Sequence, residues 1–192
     1  MTLALALLLA LFQPPKPGTY ELPPIARVQE RELVDASGGR VRFPGLAPGQ
    51  VAVVAFIYRS CHEAGGCPAS LALLRELDRR LAVDPARRAR VRLACVSFDP
   101  KHDTPPKLTE LRDLMEPQGD WRFLVPENDA ALAEVLRDFG QDVVELPDGA
   151  KRHVLKVYLV DSQDQVRNIY GGGFLDADLV LADIDTVSPP GN

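Results

Sequence analysis

Two stretches of this chain, Val51–Tyr58 and Val91–Phe98, are apolar at almost every position and rich in valine. A strand with one wet face alternates apolar and polar residues, whereas a strand covered on both faces has no need to. Both runs are too short for buried helices and carry the β-branched residues that fit a pleated surface. Between them, Pro68 suits the first turn of a helix that carries Leu74, Leu77 and Leu81 at helical spacing. Two covered strands joined by a helix require a layered α/β body. A chain of 192 residues, 46% of them apolar, can bury such a core as one domain. Its 22 basic and 27 acidic residues give a net charge of −5, which argues against a nucleic-acid partner because a phosphate backbone selects a basic face.

The alternation continues along the chain. Residues 32–43 read as a hairpin turning at Gly38-Gly39. Asp103-Thr104-Pro105 opens a helix with Leu108, Leu111 and Met115 on one face, and Trp121–Val125 is a short strand. Asn128 or Asp129 caps a further helix in which Leu132, Val135, Leu136 and Phe139 share a face, and Gly140 stops it. Val154–Val160 and Val166–Tyr170 flank a turn at Ser162–Gln165, and a last helix starts near Asp176. The order is that of an α/β, thioredoxin-like sandwich with a central mixed sheet, an N-terminal hairpin and an inserted strand-helix pair.

Ahead of this body, Leu3–Phe12 is apolar and uncharged. As a helix it would reach about 15 Å, half of the hydrocarbon thickness, so it fits the apolar region of an export signal better than a membrane span. The expected organisation is an export signal or short anchor over 1–12, a Pro-rich linker over 13–26 and the folded domain over 27–192. The implied location is periplasmic or exported, with membrane association through the N-terminus as its variant.

Cys61 and Cys67 sit where the first covered strand ends and its helix begins. Open α/β sheets bind ligands outside the carboxyl ends of their strands. Cys67 precedes Pro68, and a helix start favours a thiolate. Three readings fit the pair. A structural disulfide would close a short loop and stabilise by only about 2.4 kcal/mol in the chain-entropy model. A redox pair is the second, although its efficient spacing is Cys-x-x-Cys. A metal site is the third, since thiolates select Cu(I), zinc or iron–sulfur clusters.

The runs Phe56-Ile57-Tyr58-Arg59-Ser60-Cys61, Cys67-Pro68 and Val96-Ser97-Phe98-Asp99-Pro100-Lys101-His102-Asp103-Thr104-Pro105, with His153 ahead of Val157-Tyr158-Leu159-Val160-Asp161, together resemble the Sco/SenC proteins. The resemblance extends from about Tyr20-Glu21-Leu22-Pro23 to the last helix. It implies a thioredoxin-like metallochaperone that binds copper through two cysteines and a histidine, here Cys61, Cys67 and His153. It also implies a partner, the copper-centre subunit of cytochrome c oxidase or another copper acceptor, whose binuclear copper centre the protein helps assemble. Two departures stand out. Five residues, His62-Glu63-Ala64-Gly65-Gly66, separate the cysteines where the family usually has three, and Arg59 replaces the family's usual threonine.

The alternative function is a thiol-disulfide oxidoreductase acting on cysteines of an oxidase subunit, with Cys61 and Cys67 as its redox disulfide. The absence of proline across 149–156, where thioredoxins resemble one another in a cis-proline, weighs against it. A peroxidase ranks last, because the residues before Cys61 lack the Pro-x-x-x-Thr of peroxiredoxins. Asp99 is expected either to orient a ligand from the second shell or to form a turn before Pro100. Asp103 is expected to cap a helix, His62 and His102 to be solvated, and Cys95 to be a small buried hydrophobe. The basic run Arg87, Arg88, Arg90, Arg92 and the acidic set Asp176, Asp178, Asp183, Asp185 are expected to form solvated faces.

Overall fold

The computed structural model describes residues 14–61, 66–147, 151–171 and 175–189. The two valine-rich runs become β4 (Val51–Ile57) and β5 (Val91–Ser97), and all fourteen of their residues are buried. They pair in parallel, Val51 opposite Val91 through Ile57 opposite Ser97. The crossover between them holds α1 (Cys67–Ala82) and the single turn α2 (Pro85–Arg88). β6 (Trp121–Val125) joins β5 in parallel, and β9 (Lys156–Asp161) joins the other side of β4 antiparallel.

Around this centre lie β1 (Ala26–Arg27), the hairpin of β2 (Arg31–Asp35) and β3 (Arg40–Phe43), and β10 (Gln165–Gly171). The mixed eight-stranded sheet runs β1-β10-β9-β4-β5-β6-β2-β3. Three more helices are α3 (Pro105–Met115), α4 (Asp129–Phe139) and α5 (Ala177–Val187). The Asn128 side chain accepts from Ala131 N–H at the start of α4, and Gly140 ends it at φ 57°, a left-handed conformation that glycine adopts at little cost. The α/β sandwich with a mixed central sheet read from the sequence is therefore the observed fold.

Rings tie α4 to the sheet. Phe139 packs against Phe43, Phe56 and Tyr158 at centroid distances of 5.8, 5.2 and 5.0 Å. A second sheet escaped the periodicity reading: β7 (Val143–Glu145) pairs antiparallel with β8 (Lys151–His153), placing Val143 opposite His153.

The basic run and the acidic set are not two solvated faces. Arg87 and Arg90 converge from α2 and its end on Asp185 of α5, at 2.7 and 3.3 Å. Arg92 points into the protein, bonded to Asp120 and to the carbonyls of Pro44 and Gly45, each at 2.8 Å. Asp176 caps α5 by accepting from the N–H groups of Asp178 and Leu179.

Asp183 is buried and accepts from Tyr20 Oη at 2.6 Å, Asn168 Nδ2 at 2.7 Å and Tyr170 Oη at 2.8 Å, which fastens the segment before β1 to α5 and β10. Asp183→Ala leaves these donors without their acceptor, each buried one costing about 1–3 kcal/mol. The expected loss is about 3 kcal/mol of folding stability, read as a lower urea midpoint at unchanged slope.

Candidate metal centre

The carboxyl end of β4 leads through a tight turn, in which Cys61 N–H bonds to the Tyr58 carbonyl at 3.2 Å. The adjoining backbone is anchored from β5. Asp103 accepts from Arg59 N–H at 3.1 Å and from Ser97 Oγ at 2.6 Å. Asp103 is thus no helix cap: Thr104 occupies that position on α3, and the Asp103 carboxylate clamps the strand end that carries Cys61. Burial is the main force pushing the Asp103 carboxyl above its ordinary range.

Gly66 precedes α1, so Cys67 is its first residue and Pro68 follows in the first turn. The Cys67 sulfur accepts from Tyr58 N–H at 3.4 Å, and Cys61 lies near enough to raise the Cys67 thiol further than burial alone does. Cys61, Cys67 and Cys95 are all free and buried. The expectation that the helix start favours a Cys67 thiolate is overturned. Desolvation outweighs the Tyr58 N–H and pushes the metal-free thiol up. Cys95 lies in β5, away from this pair, and receives Trp121 Nε1–H at 3.3 Å.

His153 arrives from β8. Its imidazole packs on the Phe98 ring at 4.8 Å and meets the Tyr58 ring nearly edge-on at 6.2 Å. Several contacts fix that strand. Gln141, itself bonded by Tyr158 Oη at 3.0 Å, donates from Nε2 to the Val154 carbonyl at 3.0 Å. Lys151 Nζ reaches Asp99 at 3.6 Å and Glu145 at 3.0 Å; the Lys151 and Asp99 side chains are only 9% and 6% exposed.

Asp99 takes the turn part expected of it, its carbonyl accepting from the N–H groups of His102 and Asp103. Its carboxylate lies 3.6 Å from Lys151 Nζ, two residues before His153, and makes no described contact with His153 itself. His102 is largely exposed, with Nδ1 3.0 Å from Asp99 Oδ1. His62 lies outside the described residues.

Tyr58 therefore adjoins Cys67 through its N–H and the His153 imidazole through its ring, and Phe98 packs on both rings. Two thiols and an imidazole are a donor set suited to a soft monovalent cation such as Cu(I). Among the described residues, no three His, Cys, Asp or Glu side chains are already gathered as a metal cluster. The thiols are neighbours, while the imidazole waits across one tyrosine. Sequence reasoning passed over Tyr58, Lys151 and Gln141. Tyr58 reads as one more apolar strand residue, and the other two as ordinary polar loop residues.

The fold, with two cysteines at a strand-to-helix junction, is that of a thioredoxin-like protein. The SCO1/SenC family model matches residues 24–188, and the chain belongs to that family. No curated protein matches the sequence. Among solved structures, the chain is similar to a SCO1/SenC family lipoprotein from Bacillus anthracis, with 19% identity, TM-score 0.76 and coverage of 88% of this chain and 99% of that one. It is also similar to BsSco, described as a member of the Sco family of cytochrome c oxidase assembly proteins with a disulfide switch, at 23% identity, TM-score 0.74 and coverage of 88% and 98%. Yeast Sco1, solved with copper bound, aligns at 17% identity, TM-score 0.63 and coverage of 84% and 91%.

Proposed function

We propose that this protein is a copper metallochaperone in which Cys61, Cys67 and His153 hold copper as cargo. The observation that carries the reading is the closeness of two free thiols at the end of β4, with His153 facing the same tyrosine. Copper bound to yeast Sco1 and the oxidase-assembly description of BsSco support it. Three ligands leave one side of Cu(I) open, so an acceptor ligand can attack and the ion passes by exchange without changing oxidation state. The raised Cys67 thiol gives up its proton on metal binding. Asp99 acts on His153 through Lys151, by holding the ligand-bearing strand.

The recipient in this reading is the copper-centre subunit of cytochrome c oxidase. Residues 1–12 serve as an export signal or anchor, 13–26 as a linker and 27–192 as the copper-binding domain, which places the protein in the periplasm or at the membrane surface. Among the described residues, no helix is long and apolar enough to cross a membrane. The test is transfer. Cuprous-loaded protein mixed with the metal-free soluble domain of the oxidase subunit is expected to lose its copper to that domain, read by metal analysis after separation. Copper that stays put contradicts the delivery role.

A second reading is favoured by the closeness of the thiols itself: the pair works as a thiol-disulfide oxidoreductase on the same subunit. A potential below about −300 mV marks a structural disulfide and removes this option.

A further inference from the structure

His102 is exposed and yet held, a combination that its turn alone does not require. Its side chain is 72% exposed, while that of its partner Asp99 is only 6% exposed. Nδ1 lies 3.0 Å from both carboxylate oxygens of Asp99. The His102 backbone N–H also bonds to the Asp99 carbonyl at 3.0 Å, so one residue holds the imidazole by main chain and side chain alike. Asp99 is anchored in turn. Its N–H donates to Ser97 Oγ at 3.0 Å, and its carboxylate lies 3.6 Å from Lys151 Nζ. Ordering an exposed side chain costs rotamer entropy that burial does not return.

The partner also decides the tautomer. A carboxylate only accepts, so in the neutral ring Nδ1 carries the proton and Nε2 keeps its lone pair. Among the described residues, nothing else bonds to this ring. Histidines that bind metals characteristically donate the other ring N–H to a carboxylate, which fixes the ring and makes the bare nitrogen a better donor. His102 and Asp99 already stand in that arrangement, and imidazole suits copper.

The turn from Phe98 to Asp103 touches the candidate site at both ends. Phe98 packs on the His153 imidazole at 4.8 Å. Asp103 accepts from the N–H of Arg59, two residues before Cys61. His102 therefore sits at the rim of the site. A single imidazole suits an ion in passage better than an ion in storage.

We propose that His102 is a capture ligand: its Nε2, bared by the bond from Nδ1 to Asp99, takes up a copper ion at the rim and hands it to Cys61, Cys67 and His153. This inference rests on the metallochaperone reading and adds a site on the path to it. The copper keeps its oxidation state throughout. The bond from Nε2 to copper breaks as the bonds to the two sulfurs form, and the thiol protons leave to water.

Long-range proton–nitrogen correlation spectra of the metal-free protein near neutral pH read the tautomer directly. A His102 ring protonated on Nδ1 is expected, and one protonated on Nε2 overturns the proposal. The second arm is the rate of cuprous loading from a chromophoric chelator, measured where that rate rises in proportion to protein concentration. His102→Ala is expected to load about tenfold more slowly, the low end of the range for groups outside the final ligand set. Its equilibrium affinity should be unchanged, so release to the same chelator slows by the same factor.

His102→Gln can still donate to Asp99 but offers no imidazole, and it should be as slow as His102→Ala. A glutamine variant that loads at the unaltered rate reduces the Asp99 bond to a turn stabiliser and overturns the capture role. So does a drop in equilibrium affinity, which would make His102 a permanent ligand. If the unaltered protein takes up no cuprous ion, the metallochaperone reading fails and the capture role with it. If it does, and His102→Ala loads as fast, His102 alone is overturned.

Discussion

Cys67→Ser is expected to weaken cuprous binding more than a hundredfold, beyond the 10–100-fold range typical of changes outside the ligand set. The sulfur of Cys67 is buried at the first residue of α1, where Tyr58 N–H fixes it beside Cys61. A serine oxygen in its place is a hard donor that stays protonated near neutral pH, so Cu(I) loses one of its two soft anionic ligands. Cys61→Ser removes the other and should have an effect of the same order. Cys95→Ser should leave affinity unchanged, because Cys95 sits inside β5 with its sulfur on Trp121. Competition against a chromophoric cuprous chelator measures all three. Copper retained by Cys67→Ser, or lost by Cys95→Ser, contradicts the ligand set.

His153→Ala is expected to lower cuprous affinity by at least the roughly hundredfold that bounds changes outside the ligand set and to abolish nitrogen coordination in X-ray absorption spectra. The thiols should still form their disulfide normally, since they lie close to each other without help from the imidazole. The physical reason for so large an effect is the rigidity of the donor. Pairing with β7, the Gln141–Val154 bond and the Lys151–Asp99 ion pair hold the strand that presents His153, so little ordering is left to do on binding. His62, next to Cys61 in sequence, should be dispensable. Nitrogen coordination that survives His153→Ala and vanishes in His62→Ala would show that the longer inter-cysteine loop supplies the ligand.

The parts of the fold that were legible in the sequence are those where hydrophobic periodicity and end signals agree. Val51–Ile57 and Val91–Ser97 are buried throughout, as their unbroken apolar runs required, and Asn128 and Gly140 bound α4 at the residues that signalled its ends. The strand carrying His153 was hidden by its composition. Lys151-Arg152-His153 holds no apolar residue, yet it follows the period of two: Arg152 is exposed, while Lys151 and His153 turn inward onto Asp99 and Phe98.

Charges misled elsewhere for a related reason. Arg92 and Asp183 are buried because each finds polar partners supplied by distant segments, and pairing at such separations leaves no local trace. The two cysteines could be placed at the end of β4 from sequence. The tyrosine that joins them to the histidine could not, because its contacts exist only after β8 has docked.

Stoichiometric binding of cuprous ion tests the central claim most directly. The fully reduced protein, titrated anaerobically with Cu(I) against a competing chelator, should take up one tightly held equivalent per chain. Failure of the reduced protein to take copper from the chelator would contradict the assignment of Cys61, Cys67 and His153 as its copper site.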